Sequence, residues 1–483
     1  VKLKRNIMIL GVTAVATLAS AHSDFNFADH SVHFDVPEIS SGVGLIDQQK
    51  EKQIGEKVYR EIQKQLPVMH DPWLQDQYAQ IFFRILGQTQ MSQPVGLVIL
   101  KSPQINAFAV PGGLFALNTG LIANAQNIDE VAGVMAHEVA HVTQRHYSRS
   151  QEAFKGQGLL ALAGILVGAA LATKSNGEAG SALMLGTQAA LIDKQLTYSR
   201  NQEREADRIG MQYMYAAGYN PQSMADFFET MQRSSVGIGF LPDFWMTHPL
   251  TTERMSEARL RANQLPKVTH SLYDPNFQIL KWYTAAVSNQ ATEEQLKTIV
   301  KQGNNEAKFG LAAFYLNRGD SQATQNVLDS LPDSLKQHTL FALIQTDVYL
   351  DQHKYEQAYA VINAAQKVMP ENRALSYKLA TVYIQQSKPS HAQQLVQKFI
   401  NQNPRDIEAW RLMQQAAALQ PQTSVNQINA LRYRAEVQFW SGNEENAIKS
   451  MLHAQRLATT NAALSARIDQ RLKEMQADHA LNI

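Results

Sequence analysis

The sequence predicts an α+β domain, mostly helical with a small sheet, followed by an all-α solenoid. Three observations carry that expectation. Val131, Val134, Met135, Val139 and Val142 recur at the spacing of one helix face, so the stretch around them reads as a core helix. Val95 to Leu100 and the two arms around Pro111-Gly112-Gly113 are short apolar or alternating runs broken by a turn signal, which reads as a small sheet ending in a hairpin. Tyr315, Tyr349 and Tyr383 are spaced by 34 residues, and the same interval separates Ala358 from Ala392 and Pro370 from Pro404. With 483 residues there is room for two or three domains and an ample core.

At the N-terminus Lys2, Lys4 and Arg5 precede the apolar run Ile7 to Ala19, and Ala19-Ser20-Ala21 offers small residues at cleavage spacing. These are the three parts of a secretory signal peptide, so residues 1–21 are expected to be removed and 22–44 to form a mature N-terminal segment. A signal anchor is the alternative, but the run is short for a bilayer span. The sequence holds no cysteine, so no disulfide forms within it; export into an oxidising space is compatible with that without being demanded. Its 44 basic and 43 acidic residues give a net charge of +1, and a balanced chain has no evident electrostatic reason to bind nucleic acid.

The core helix carries His137-Glu138-Val139-Ala140-His141. Histidines four residues apart stack on one helix face, so both imidazoles can reach one zinc ion, and Glu138 can take a proton from a metal-bound water. Asp129 and Glu130 lie near the helix start, where carboxylates suit the macrodipole. The competing reading is a buried helix whose histidines merely satisfy hydrogen bonds. Burying two histidines and a glutamate is costly without a partner charge, however, and a divalent cation supplies one.

A catalytic zinc needs a third protein ligand. The extended pattern with a third histidine fails here: Tyr147 occupies its position, Gln144 replaces its glycine, and His146 is one residue out of register. The better candidate is the run Asn201 to Asp207, where Glu203 and Asp207 lie one helical turn apart. Glu203 can bind the metal while Asp207 orients a ligand histidine. Taken alone, the same run reads as a solvated charged face.

His137 to His141, Glu203-Arg204-Glu205-Ala206-Asp207, and Thr247-His248-Pro249 with Arg254 together resemble the HtpX and CAAX-prenyl-protease type of zinc metallopeptidase, peptidase family 48. Residue by residue, the resemblance implies His137, His141 and Glu203 as ligands of one Zn2+ per chain and Glu138 as the base. His248 and Arg254 match positions that face the metal and help stabilise the transition state. Asn106 to Gly113 matches the strand preceding the zinc helix, and the resemblance covers about residues 45–265. An exposed edge at Asn106, Ala107, Phe108 and Ala109 would hold a peptide as an added strand with little sequence preference; an ordinary packed hairpin is the alternative.

His248 follows Val236 to Pro242, a glycine-containing stretch that reads as a movable loop, and Pro249 is expected to start the helix carrying Arg254. A neutral imidazole at His248 can act as an inhibitory fourth zinc ligand, closing the site. The alternative is that His248 acts only in the transition state.

The 34-residue interval is the tetratricopeptide period. Each unit reads as two amphipathic helices, for example Leu340 to Asp351 and Tyr355 to Val368, with a proline closing the second. The array is expected at about residues 305–460, after a helical connector at 266–304 and before a capping helix at 461–483. Such arrays hold peptides or partner proteins and carry no chemistry, so removing residues after about 270 should spare hydrolysis of a small peptide.

The order signal, zinc peptidase, repeats is similar to that of periplasmic members of the family that act on outer-membrane proteins. That resemblance implies a Gram-negative periplasm, unfolded or misassembled outer-membrane proteins as clients, and the barrel-assembly machinery as partner. Two other classes are a non-catalytic assembly chaperone, which the intact Glu138 argues against, and a membrane-embedded processing peptidase. The apolar runs Leu159 to Thr173 and Ala179 to Ile192 are short for membrane spans, so they are expected to form a helical hairpin covering the site or touching the membrane surface.

Overall fold

The computed structural model describes residues 48–91, 94–153, 200–236, 248–268, 273–421 and 423–481. Helices α1 (Gln48–Gln65) and α2 (Pro72–Leu86) precede strands β1 (Gly96–Leu100), β2 (Ala107–Val110) and β3 (Leu114–Asn118). The strand order is β1-β3-β2, with β1 parallel and β2 antiparallel to β3. The hairpin is therefore β2 and β3, and β2 is a sheet edge. Gly112 and Gly113 turn it with φ of 83° and 72°, a conformation glycine adopts without strain.

Side chains alternate across this sheet. Val98, Leu100, Phe108, Val110, Leu114 and Ala116 pack with Ile54, Val58 and Ile62 of α1. Ile99, Ala107, Ala109, Phe115 and Leu117 join Leu74, Tyr78 and Phe82 of α2 in the larger core. A sheet covered on both faces needs apolar residues at every position, which is why the strands read as continuous apolar runs.

The other elements of this half, among the described residues, are helices: α3 (Thr119–Asn124), α4 (Ile128–Thr143), α5 (His146–Ala153), α6 (Arg200–Ala216), α7 (Gln222–Val236) and α8 (Thr252–Gln264). The Asn127 side chain caps α4 by accepting the Glu130 N–H. Helix α8 starts later than Pro249, because the Thr251 hydroxyl accepts the Arg254 N–H and fixes the cap there. The expected signal peptide and N-terminal segment, both apolar runs after Leu159, and residues 237–247 lie outside the described residues. No helix among the described residues is long and apolar enough to cross a membrane.

Helices α9 (Pro275–Val287) and α10 (Glu293–Lys301) lead into helical pairs. Thr339–Asp351 pairs with Tyr355–Val368 and Arg373–Gln385 with Pro389–Gln402; Ala462–Ala480 is the last helix. Pro370 and Pro404 each follow the second helix of a pair by two residues, and Ala358 and Ala392 are both buried.

The core does not stop at residue 265. One cluster runs from Trp73 and Tyr78 through Phe277 and Leu280 to Phe309, Leu343 and Leu379. Polar contacts cross the same boundary: Tyr78 Oη meets Thr284 Oγ1 at 2.8 Å, Lys281 Nζ donates to the Ala125 carbonyl at 2.7 Å, and Arg373 reaches Asp76 and Gln75 at 2.9 Å each.

A second junction ties α1 to the far end of the chain. Arg60 Nε and Lys57 Nζ donate to the Glu444 carboxylate at 2.7 and 2.8 Å, and Tyr59 packs edge-on against Trp440. Burial alone would push the Glu444 carboxyl up, but hydrogen bonds from Lys57, His479 and Arg60 hold it down at about 2. A Cβ on Gly442 would fall 2.4 Å from the Arg60 carbonyl oxygen, so only glycine allows this approach.

Candidate metal centre

Helix α4 places His137 and His141 on one face, with their Nε2 atoms 3.0 Å apart. Helix α6 crosses α4 at close range because residue 210 is glycine: a Cβ there would lie 2.9 Å from the Ala136 carbonyl oxygen and the His137 amide nitrogen. The close crossing sets the Glu203 oxygens 3.4 Å from each histidine Nε2. His248, just ahead of α8, brings Nδ1 to 3.1 Å from Glu203 Oε1 and 3.3 Å from His137 Nε2.

One donor atom from each of His137, His141, Glu203 and His248 lies within 4.8 Å of the others, and all four residues are buried. A tetrahedral ion with bonds of ~2.0–2.1 Å would set its donors roughly 3.3 Å apart. The nearest donor pairs here, at 3.0 to 3.4 Å, match that edge, so the residues fit a divalent cation.

The electrostatics agree. Burial alone would lower His137, but Asp207 and Glu203 outweigh it and push the imidazole up to about 9. Burial drives His141 well below its usual range. The Glu203 carboxyl is held well down in spite of burial by His248, His137 and His141.

Glu138 faces the same space, with Oε1 3.3 Å from His248 Nε2. It makes no hydrogen bond of good geometry among the described residues. Burial raises its carboxyl, and His248, His137 and the Ala109 amide counter only part of that. Strand β2 runs alongside as expected, but it is not open: Ala107, Phe108, Ala109 and Val110 are at most 9 % exposed, and Asn106 is half-buried.

Behind the cluster, Asp207 Oδ1 lies 3.0 Å from His137 Nδ1. Arg254 clamps Asp207 through Nε and Nη2 at 2.7 and 2.8 Å, and its Nη1 is 2.8 Å from Glu203 Oε2. Nη1 also donates to the Pro249 carbonyl at 2.9 Å, so the same guanidinium fixes the segment carrying His248. Removing it would strand two buried carboxylates, which typically costs about 3–5 kcal/mol.

The sequence reading left His146 without a role. In the structure it is fully buried, its Nδ1 is 2.9 Å from His141 Nδ1, and its Nε2 is 3.0 Å from Glu205 Oε2. Burial pushes this imidazole down to about 4 against the pull of Glu205. A histidine five positions after His141 does not share its helix face, so helical spacing carried no signal. Arg145, at φ 51°, breaks the helix and turns His146 back beneath His141.

Comparison with known proteins matches the model of peptidase family M48 to residues 70–262 and a tetratricopeptide repeat model to residues 349–416. The chain is 31% identical over 452 residues to the beta-barrel assembly-enhancing protease of Yersinia pestis, covering 91% of each. The chain belongs to peptidase family M48. This M48 peptidase is also 28% identical over 487 residues to the protein of the same name from Escherichia coli K12, covering 98% of this chain and 97% of that one. To the mitochondrial metalloendopeptidase OMA1 of Schizosaccharomyces pombe it is 28% identical over 239 residues, 48% of this chain and 67% of that one. The M48 match spans the whole donor cluster, and the fold is the expected α+β metallopeptidase domain followed by a repeat solenoid.

Proposed function

We propose that this chain is a zinc-dependent endopeptidase of the periplasm that promotes assembly of outer-membrane β-barrel proteins and degrades those that misassemble. The observation that carries the reading is the buried set of His137, His141 and Glu203, whose spacing fits a tetrahedral cation beside the Glu138 carboxylate. In this reading those three hold one zinc, which when bound lowers the pKa of a coordinated water and polarises the scissile carbonyl. A Glu138 oxygen takes the attacking water's proton and returns it to the departing amine nitrogen. Asp207 keeps the His137 proton on Nδ1, and Arg254 holds Asp207 and Glu203 in place. Once substrate enters, His248 stabilises the developing oxyanion. Arg254 contributes to this only through the partners that occupy its three nitrogens, Asp207, Glu203 and the Pro249 carbonyl, and the edge at Asn106, Ala107, Phe108 and Ala109 aligns the peptide.

The names of the relatives, beta-barrel assembly-enhancing protease, support a role in beta-barrel assembly. From that role we infer outer-membrane barrel proteins as clients and the barrel-assembly machinery as partner. A cleft of about 600 Å³ between the start of α2 and the inner repeat helices, lined by Trp73, Tyr283, Ile344, Asp347 and Lys378, supports a repeat domain that holds polypeptide. The test of the metal set is Glu203→Gln. Zinc affinity measured by chelator competition should fall by more than the roughly 10- to 100-fold typical of losing an outer partner. Full zinc at low free metal in that variant would assign the ligand role elsewhere.

His248 is further proposed to close the resting enzyme. Its Nδ1 stands in the donor cluster while its Nε2 faces Glu138, where water would be activated, and that position supports the gate. The buried β2 edge fits the same closed state. His248→Ala should then self-cleave more and hydrolyse casein faster than wild type. An inactive His248→Ala protein with normal zinc content and fold would leave His248 only a transition-state role.

A further inference from the structure

We propose that His146 and Glu205 form a positioning relay that fixes the ring and tautomer of His141 for metal binding. The inference rests on the metal-site reading above and adds two residues that are not ligands. A histidine that gives its Nε2 lone pair to a metal keeps its proton on Nδ1. His141 Nδ1 lies 2.9 Å from His146 Nδ1, so the His146 atom must accept. The remaining His146 proton then sits on Nε2, which faces Glu205 Oε2 at 3.0 Å. Each proton has one acceptor in this arrangement. The reverse polarity would put a proton on His141 Nε2 and block the metal bond.

The relay is built into the fold. His146 is fully buried, and the turn at Arg145 delivers it. Gln202 of α6 donates to the His146 carbonyl at 3.1 Å, and Arg149 Nη1 donates to the same Glu205 Oε2 at 3.0 Å. The acidic residues of α6 thus divide their tasks: Glu203 enters the donor cluster, Asp207 holds His137, and Glu205 holds His141 through an imidazole. His137 is anchored by a carboxylate directly and His141 by an uncharged ring.

The test uses the full chain and zinc alone, with affinity read by competition against a chromophoric chelator. His146→Phe keeps the bulk and removes the acceptor; it should weaken zinc binding about 10- to 100-fold. His146→Asn sets an amide oxygen near the Nδ1 position and should recover most of that loss, which a packing role would not produce. Wild-type affinity in His146→Phe, or equal loss in both variants, overturns the relay. Should His146→Phe fail to fold, Glu205→Ala carries the test: about a tenfold loss at unchanged metal-free melting supports it, and unchanged affinity overturns it. A wild-type chain that takes up no zinc overturns the parent reading and the relay together, whereas a zinc-binding wild type with insensitive variants overturns the relay alone.

Discussion

Glu138→Gln is expected to retain the zinc content of the wild-type chain while cleaving casein about 10²- to 10⁴-fold more slowly, the usual contribution of a positioned acid–base group. The substitution keeps shape and removes only the ability to take up a proton. Glu138 lies outside the donor cluster, so metal binding should survive. Its carboxylate is buried without a hydrogen bond of good geometry among the described residues, so a neutral amide should leave the fold intact or firmer. Cleavage by the variant at the wild-type rate would remove Glu138 from proton transfer. Zinc in both proteins with cleavage by neither would instead favour a module that holds clients without cutting them.

The second large effect is on the fold itself. A chain ending at residue 270 is expected to lose ordered tertiary structure and, with it, hydrolysis of even a small peptide. This reverses the expectation drawn from sequence, where repeats were a separable delivery device. Trp73 and Tyr78 are buried, and they meet Tyr283 and Thr284 of α9. Each large apolar side chain uncovered costs about 1.5–3 kcal/mol against a total stability of about 5–15 kcal/mol, so a handful suffices to unfold the remainder. A soluble 1–270 product with native near-UV circular dichroism and wild-type peptide cleavage would show that the catalytic half stands alone.

The pentapeptide at His137 and the carboxylates at Glu203 and Asp207 were legible because their spacing equals a helix repeat, and helices α4 and α6 carry it unchanged into the cluster. The 34-residue period located the helical pairs because one such interval is one two-helix unit. Two kinds of feature were not legible. Gly210 sits in a helix interior, where the sequence says only that propensity is sacrificed; the reason is a neighbouring backbone 2.9 Å away. His146 depends on a turn at Arg145 that no periodicity announces. An exposed edge is expected at Asn106 to Ala109; the strand runs Ala107–Val110 at the sheet edge and is buried, a property of the surrounding fold rather than of the strand.

The junction of α1 with Glu444 joins residues 384 and 387 positions apart in the chain. Contacts of such separation form late, because the loop they close must first be organised. Any process that delivers this polypeptide from its N-terminus onward therefore presents α1 long before its partner exists. During that interval the face of α1 that Glu444 later neutralises carries Arg60 and Lys57 as unmatched positive charges, and Tyr59 has no Trp440 to meet. The arrival of the repeat that carries Glu444 thus acts as a completion signal: the first described helix is sealed only once the chain has been made through that repeat.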